Sequence, residues 1–153
     1  MYTKEEASAL KQAFWTVFGQ YMALSLSAEG EKINWINYKT GIKHLHFKMQ
    51  ADNHVATMTI EMSHPELGIQ ELMFEQFKAF QNLLKSNLNE DWEWELHTPD
   101  ANYKIISKIS ICLTEVSIFK KADWPAMISF LKPRIIALDA FWTDAQYSFS
   151  LFK

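Results

Sequence analysis

The chain has 153 residues, a net charge of −3 and a single cysteine, Cys112. Hydrophobic residues make up 48% and charged residues 22%, a globular mix that argues against disorder, a disulfide scaffold or a cysteine-rich zinc site. Only one of the fifteen basic residues is an arginine, so strong nucleic-acid binding is not expected. The length favours a single domain over residues 1–153.

The aromatic content is high, because Trp, Tyr and Phe together make up 14% of the chain. Each aromatic ring buries roughly 150–250 Å² in a protein interior, so a dense aromatic core is one interpretation. The alternative is that some Trp and Phe side chains are exposed and form a surface for a partner or ligand.

The first predicted element is a helix over about residues 4–23. Thr3 and Glu6 fit a capping box, and apolar residues then recur at helical spacing. Residues 24–32 are mostly small or polar and predict a loop. The polar N-terminus does not resemble a signal peptide, and no apolar run approaches the roughly 18 residues of a membrane span. We therefore expect a cytoplasmic protein without a membrane partner.

Three strands are predicted between residues 32 and 62. Residues 33–36 form the first, residues 43–50 form the second, and the third ends at Met62. Apolar and polar residues alternate strictly in the second strand, as expected for antiparallel strands with one buried face. Residues 51–53 (Ala-Asp-Asn) predict a tight turn between the second and third strands.

The next predicted elements are a helix and two or three further strands. Residues 63–66 have the chemistry of a helix start, and the apolar spacing of the helix continues to Leu88. The strands follow at residues 92–97, 103–113 and, as a short segment, 115–119.

A long helix is predicted at the C-terminal end of the chain. Asp123 is a suitable N-cap, and apolar residues step by three and four as far as Phe152. Pro133 interrupts the backbone hydrogen bonds but not this apolar stripe, which predicts one helix kinked at Pro133. The whole order is α-β-β-β-α-β-β-(β)-α, an α+β fold with a mainly antiparallel sheet of five or six strands and three helices.

Several segments with aromatic residues carry a family resemblance. They are residues 14–19 (FWTVFG), 32–41 (KINWINYKTG), 64–72 (HPELGIQEL), 92–95 (WEWE), 123–125 (DWP) and 132–139 (KPRIIALD). On these segments the chain resembles an uncharacterised bacterial family, a domain of unknown function, over nearly its whole length. Short members of that family stand alone, and longer relatives look like this domain attached behind a nuclease-like domain. The resemblance implies an architecture and not a reaction.

The predicted α-β-β-β-α-β order is also that of the restriction-endonuclease-like core. That core uses an Asp and an (Asp/Glu)-x-Lys on adjacent strands to hold Mg²⁺ and activate water. Glu61 lies near the end of the predicted third strand, but Ser63 stands where the lysine is required. The candidate catalytic residues are therefore Glu61, Asp52 in the turn and Lys48 as a substitute lysine. This set predicts a degenerate or divergent relative of that core.

A second candidate site consists of histidines beside a carboxylate. His44 and His46 are expected on one face of the second strand, with Glu61 on the same sheet. Imidazole and carboxylate together could bind Zn²⁺ or Mn²⁺. The alternative is a solvated sheet face with cross-strand charge pairing. No cofactor is predicted otherwise, and a divalent metal is expected only under the nuclease-like alternative.

Glu93, Glu95 and His97 form another predicted polar row, on the strand at residues 92–97. Glu93 and Glu95 would lie roughly 7 Å apart and could act as a general acid/base pair, or simply line a solvated edge. Arg134 could bind an anionic ligand or a partner carboxylate. A salt bridge to the preceding helix, or a solvated position, is the alternative for Arg134.

Two functional hypotheses remain from the sequence. Motifs for nucleotide binding, serine hydrolysis and zinc proteolysis are absent, which favours a non-catalytic accessory domain that binds protein, including a second copy of itself. Exposed Trp or Phe patches would mark its interface. The alternative is a metal-dependent nuclease-like enzyme, which requires Glu61 and Asp52 to lie closer than about 10 Å, because shared metal ligands form short bonds.

Overall fold

The computed structural model describes residues 2–153, which contain four α-helices and four β-strands. The helices are α1 (Lys4–Met22), α2 (Leu67–Ala79), α3 (Gln81–Leu88) and α4 (Trp124–Ala145). The strands are β1 (Leu45–Ala51), β2 (Val55–Met62), β3 (Glu93–Pro99) and β4 (Ile105–Thr114). Short 3₁₀ helices at Lys121–Asp123 and Gln146–Phe152 precede and follow α4.

The strands form one antiparallel sheet in the order β1-β2-β4-β3, so β1 and β3 are its edges. The hairpin between β1 and β2 turns on Asp52, whose Oδ1 accepts the N–H groups of His54 and Val55 at 2.9 and 3.0 Å. The β1–β2 register is continuous, whereas β3 shifts its register against β4 between Glu95 and Thr98. Edge β3 is therefore irregular and edge β1 is regular.

The prediction of five or six strands and three helices is wrong, because the structure has four of each. Two of the predicted strands, at residues 33–36 and 115–119, are loops. Residues 33–36 form a loop in which Asn34 Oδ1 accepts the N–H groups of Ile36 and Asn37, so the backbone turns instead of pairing. Residues 115–119 also form a loop, since Glu115 adopts a left-handed φ of 61° directly after β4. Without the strand at 33–36, the α-β-β-β-α-β order that suggested a nuclease core is absent.

The prediction of one helix up to Leu88 is also wrong, because this segment forms two helices, α2 and α3. Phe80 has φ −100° and ψ 14°, outside the helical region, and separates α2 from α3. Its half-buried ring lies near Phe149 in the C-terminal 3₁₀ helix, with 6.3 Å between the ring centroids. The helix is interrupted here while its apolar residues continue to contact the core.

Helices α2 and α4 cover the apolar face of the sheet. The ring of Phe47 on β1 meets Trp142 on α4, and Trp94 on β3 meets Phe74 on α2, each in an edge-to-face pair. We call this the helix side of the sheet. No Trp or Phe within residues 2–153 is exposed, so these two residue types pack in or against the core, and an exposed patch of them is not found there. Four of the five tyrosines are exposed: Tyr2, Tyr21, Tyr103 and Tyr147.

The first and last helices begin near their predicted positions. Thr3 Oγ1 accepts the N–H of Glu6 at 3.1 Å, which caps α1. Helix α4 continues through Pro133, with Ile135, Leu138 and Trp142 buried beyond it, and the kink at Pro133 stays a prediction. None of the helices within residues 2–153 combines the length and apolar content that crossing a membrane requires.

Candidate functional site

The face of the sheet opposite the helix side carries rows of polar residues, and we call it the open face. Cross-strand pairing places His46, Glu61, Lys108 and Glu95 in one row across all four strands. Lys48 Nζ lies 2.6 Å from Glu61 Oε2, and Lys108 Nζ lies 3.5 Å from Glu95 Oε2. Charges of opposite sign thus neighbour each other across the strands, as the charge-pairing alternative predicts.

The nuclease-like candidates are not brought together as a set. Lys48 and Glu61 form an ion pair, but Asp52 directly follows β1, six residues after His46, the partner of Glu61. At about 3.3 Å per residue this is roughly 20 Å, too far for Glu61 and Asp52 to bind one metal ion. Asp52 Oδ1 instead accepts the two N–H groups of the hairpin turn.

The two candidate metal-binding histidines occupy different local structures. His44 precedes β1 with a left-handed φ of 63°, and its ring packs edge-on against His64 at 5.0 Å between centroids. Partial burial lowers the pKa of His44, and nearby positive charge from His64 and Lys104 adds to this effect. His46 lies on the open face. Within residues 2–153 no three or more His, Cys, Asp or Glu side chains come together as ligands of one metal ion.

The row predicted on β3 is interrupted at His97. Glu93 and Glu95 pair with Ser110 and Lys108 on the open face. His97, inside the irregular part of β3, has φ 51°, and its Nε2 lies 3.0 Å from the carbonyl oxygen of Leu67 at the start of α2. The imidazole therefore contacts a helix and not the two carboxylates.

Arg134 holds the segment after α3 against α4. Its Nε and Nη2 each donate to a different carboxylate oxygen of Glu90 at 2.8 Å, and Nη1 donates to the carbonyl oxygen of Phe130. The guanidinium also lies 4.1 Å from the centroid of the Phe130 ring. With its donors used in this way, Arg134 serves a structural clamp of the kind that the salt-bridge alternative describes.

The free edge of β1 presents backbone groups without partners. The backbone N–H of Ser63 donates to the carbonyl of His44, and the backbone N–H of Asp52 donates to the carbonyl of Val55. Because backbone bonding alternates along an antiparallel strand, the even-numbered residues of β1 are the ones that bond β2. The N–H and C=O groups of Phe47 and Met49 consequently point away from β2. No backbone or side-chain group within residues 2–153 bonds them on that side.

A groove of about 850 Å³ runs along this free edge, and we call it the edge groove. Beside β1 it is lined by Trp15 of α1 and by residues 36–39 of the preceding loop. Tyr38 stacks on Phe47 at 5.3 Å between centroids, which places this loop on the helix side of the sheet. The edge groove thus has β1 along one side and a wall of loop and helix on the helix side.

A buried carboxylate that the sequence reasoning missed fixes the loop that forms this wall. Asp139 on α4 is 4% exposed, and its two oxygens accept the Tyr38 hydroxyl at 2.5 Å and the Ala28 N–H at 2.7 Å. Burial and the hydrogen bond to Asp139 raise the pKa of Tyr38 far above its usual 10.0. Trp142 Nε1 adds a bond of 2.9 Å to the carbonyl of Thr40, so α4 holds the loop at several points.

Comparison with known proteins identifies a family. None of the curated proteins and none of the solved structures compared with the chain matches it. A family model described as a domain of unknown function (DUF4268) matches residues 10–146, and this confirms the resemblance to an uncharacterised family. The chain therefore belongs to the DUF4268 family of domains of unknown function.

Proposed function

We propose that this domain is a non-catalytic protein-binding module that takes up an extended segment of a partner protein along β1. The observation that carries the proposal is the set of free N–H and C=O groups of Phe47 and Met49 inside the edge groove. An exposed sheet edge binds an extended chain by adding a strand, with main-chain hydrogen bonds that supply affinity.

Edge β1 is suited to this role, whereas edge β3 is not. Proteins protect their sheet edges with bulges, prolines and inward-pointing charges. β3 has a register shift and ends in Pro99, whereas β1 pairs with β2 through seven consecutive residues without a bulge or a proline. A long regular edge of this kind is a site where another chain can pair.

The occupant that the groove favours is a single extended segment and not a second copy of the domain. Two β1 edges paired about a twofold axis would place both helix sides on the same face of a continuous sheet. The Trp15 and Ile36 walls of the two copies would then compete for the space beneath the joined strands. One added strand meets only one wall.

The proposal includes an intracellular accessory role. Cys112 is a free and exposed thiol, and exposed unpaired thiols are compatible with the reducing cytoplasm. The cytoplasmic location, the bacterial origin, and the role beside a nuclease-like domain in longer relatives are parts of the proposal that depend on the family resemblance.

The test uses a fluorescein-labelled peptide of alternating valine and threonine with Gly/Ser flanks, titrated by fluorescence anisotropy. Saturable binding is expected, and Met49→Pro should weaken it at least tenfold, since proline removes the Met49 N–H, which does not bond β2. Met49→Leu should bind within about twofold of the natural chain, because it keeps the N–H and the volume. Absence of saturable binding, or equal binding by a folded Met49→Pro variant, would refute the proposal.

A second form of the test does not depend on how the variant folds. The same peptide, N-methylated at alternate residues so that one backbone edge loses its donors, is titrated against the natural chain. Strand addition requires that methylation on the edge facing β1 abolishes binding, while methylation on the opposite edge leaves it. Equal affinity of the two methylated peptides would contradict a bound strand.

A further inference from the structure

We infer that the segment bound in the edge groove carries alternating apolar and acidic side chains. This inference rests on the proposed function and adds the chemistry of the partner. In an added strand, successive side chains point to opposite faces of the sheet, so one set meets the helix side and the other meets the open face.

On the helix side, the edge groove offers apolar side chains that are not fully covered. Trp15, Ile36 and Met49 line the groove and are half-buried. Ile36 is held in place against α1, because its Cδ1 lies 3.6 Å from the position that a Cβ at Gly19 would occupy. Apolar side chains of the bound segment would cover these surfaces, which favours apolar residues at alternate positions.

On the open face, the charge beside the free edge is positive. His46, Lys48 and Gln50 are the residues of β1 that an added strand would face there, and they include no acid. Lys39, in the wall on the helix side, is a further lysine beside the groove, and it forms no ion pair within residues 2–153.

Asp52, the acid at the end of the edge, offsets one lysine, so the charged side chains that line the groove (Lys39, Lys48 and Asp52) carry a net charge of +1. Asp52 already accepts two N–H groups of the hairpin turn. The charge on Lys48 is shared with Glu61, whose side chain is 14% exposed and lies toward the centre of the sheet. Directly opposed charges of unlike sign stabilise a strand pair and like charges destabilise it, so acidic residues fit the positions that face this edge.

The test compares three flanked peptides in which valine alternates with glutamate, threonine or lysine. In low salt the glutamate peptide should bind about threefold to tenfold more tightly than the threonine peptide, with the lysine peptide weakest, as expected for a few cross-strand charge pairs. At about 1 M salt, where the Debye length is roughly 3 Å, these differences should largely disappear.

Matched variants assign the effect to the groove. Lys48→Gln should reduce the preference for the glutamate peptide, whereas Lys32→Gln, with the same change in net charge, should preserve it, because Lys32 does not line the groove. Equal binding of all three peptides would overturn the charge preference and leave strand addition in place. Absence of binding by every peptide would overturn strand addition itself.

Sedimentation velocity of the free protein tests whether a second copy of the chain occupies the edge groove instead. A monomer at the concentrations used for binding is the expected result. A dimer that Met49→Pro dissociates and Met49→Leu preserves would overturn the inference in favour of pairing between two β1 edges.

Discussion

Replacement of Asp139 by alanine tests whether the wall of the edge groove is held by a buried carboxylate. The side chain connects α4 to Ala28 and Tyr38, more than a hundred positions earlier in the chain. Asp139→Ala removes the acceptor of two hydrogen bonds and leaves a backbone N–H and a phenol hydroxyl without their partner. We expect the segment of residues 24–40 to loosen as a result.

The size of the effect follows from the number and type of these bonds. Hydrogen bonds to a charged group contribute about 1.5–3 kcal/mol each, so the loss of two predicts a decrease of about 3–6 kcal/mol in the free energy of unfolding. For a chain of this length that corresponds to a fall in Tm of roughly 6–24 °C. Asp139→Asn should cost less, because the amide oxygen can still accept one of the two bonds.

The assay is thermal and urea unfolding followed by circular dichroism, with Asp144→Ala as the matched control. Asp144 lies on the same helix but is exposed and forms no hydrogen bond or ion pair within residues 2–153, so its removal should change stability by less than about 0.5 kcal/mol. Limited proteolysis between residues 24 and 40 should accelerate only in the Asp139 variants. If Asp139→Ala and Asp144→Ala unfold alike, the carboxylate does not hold the loop and the reasoning is refuted.

The pH dependence of stability should depend on Tyr38. Because the folded pKa of Tyr38 is raised above its unfolded value of 10.0, its contribution is fully present below pH 10 and is lost above it, at up to about 1.4 kcal/mol per pH unit. Urea melts between pH 8 and 11 should therefore show a smaller decline for Tyr38→Phe than for the natural chain, and equal declines would contradict this. Arg134→Lys should lower the free energy of unfolding by about 1–2 kcal/mol in urea melts, because lysine cannot make the two-pronged contact to Glu90. An unchanged urea midpoint would show that this clamp contributes nothing measurable.

Hydrophobic periodicity predicted most of the helices and strands. Helix α1 is capped by Thr3 as predicted, and the strict alternation on either side of Asp52 became the β1–β2 hairpin. These predictions succeed because an element that packs against one core repeats its apolar residues with its own period. The apolar stripe also predicted that α4 continues past Pro133, because the residues of the stripe are buried both before and after this proline.

The failed predictions share a physical cause, which is that apolar residues also anchor loops. Trp35 in the segment predicted as a strand is buried, and its Nε1 donates to the carbonyl of Ser25 at 3.0 Å within the same loop region. Ile118, in the other false strand, is buried, and its N–H donates to the carbonyl of Asp52. A short apolar run indicates that its residues are buried, but it does not indicate which groups their backbone bonds. Periodicity therefore cannot distinguish a short strand from a loop that is anchored in the core.

The candidate site could be predicted only in part, because its two components depend on different information. Asp139 could have been found: it lies one turn after Ile135 on the buried stripe of α4, and a charge in that position requires partners. The free edge of β1 could not, since alternation gives the faces of a strand but not its neighbours. Once the order β1-β2-β4-β3 is known, the nominated residues of the sheet fall on the open face, and backbone groups on the outer side of β1 are left without a partner within residues 2–153; these residues are His46, Lys48, Glu61, Glu93 and Glu95. The proposed binding function is therefore to be tested along that edge, beside the loop that Asp139 holds.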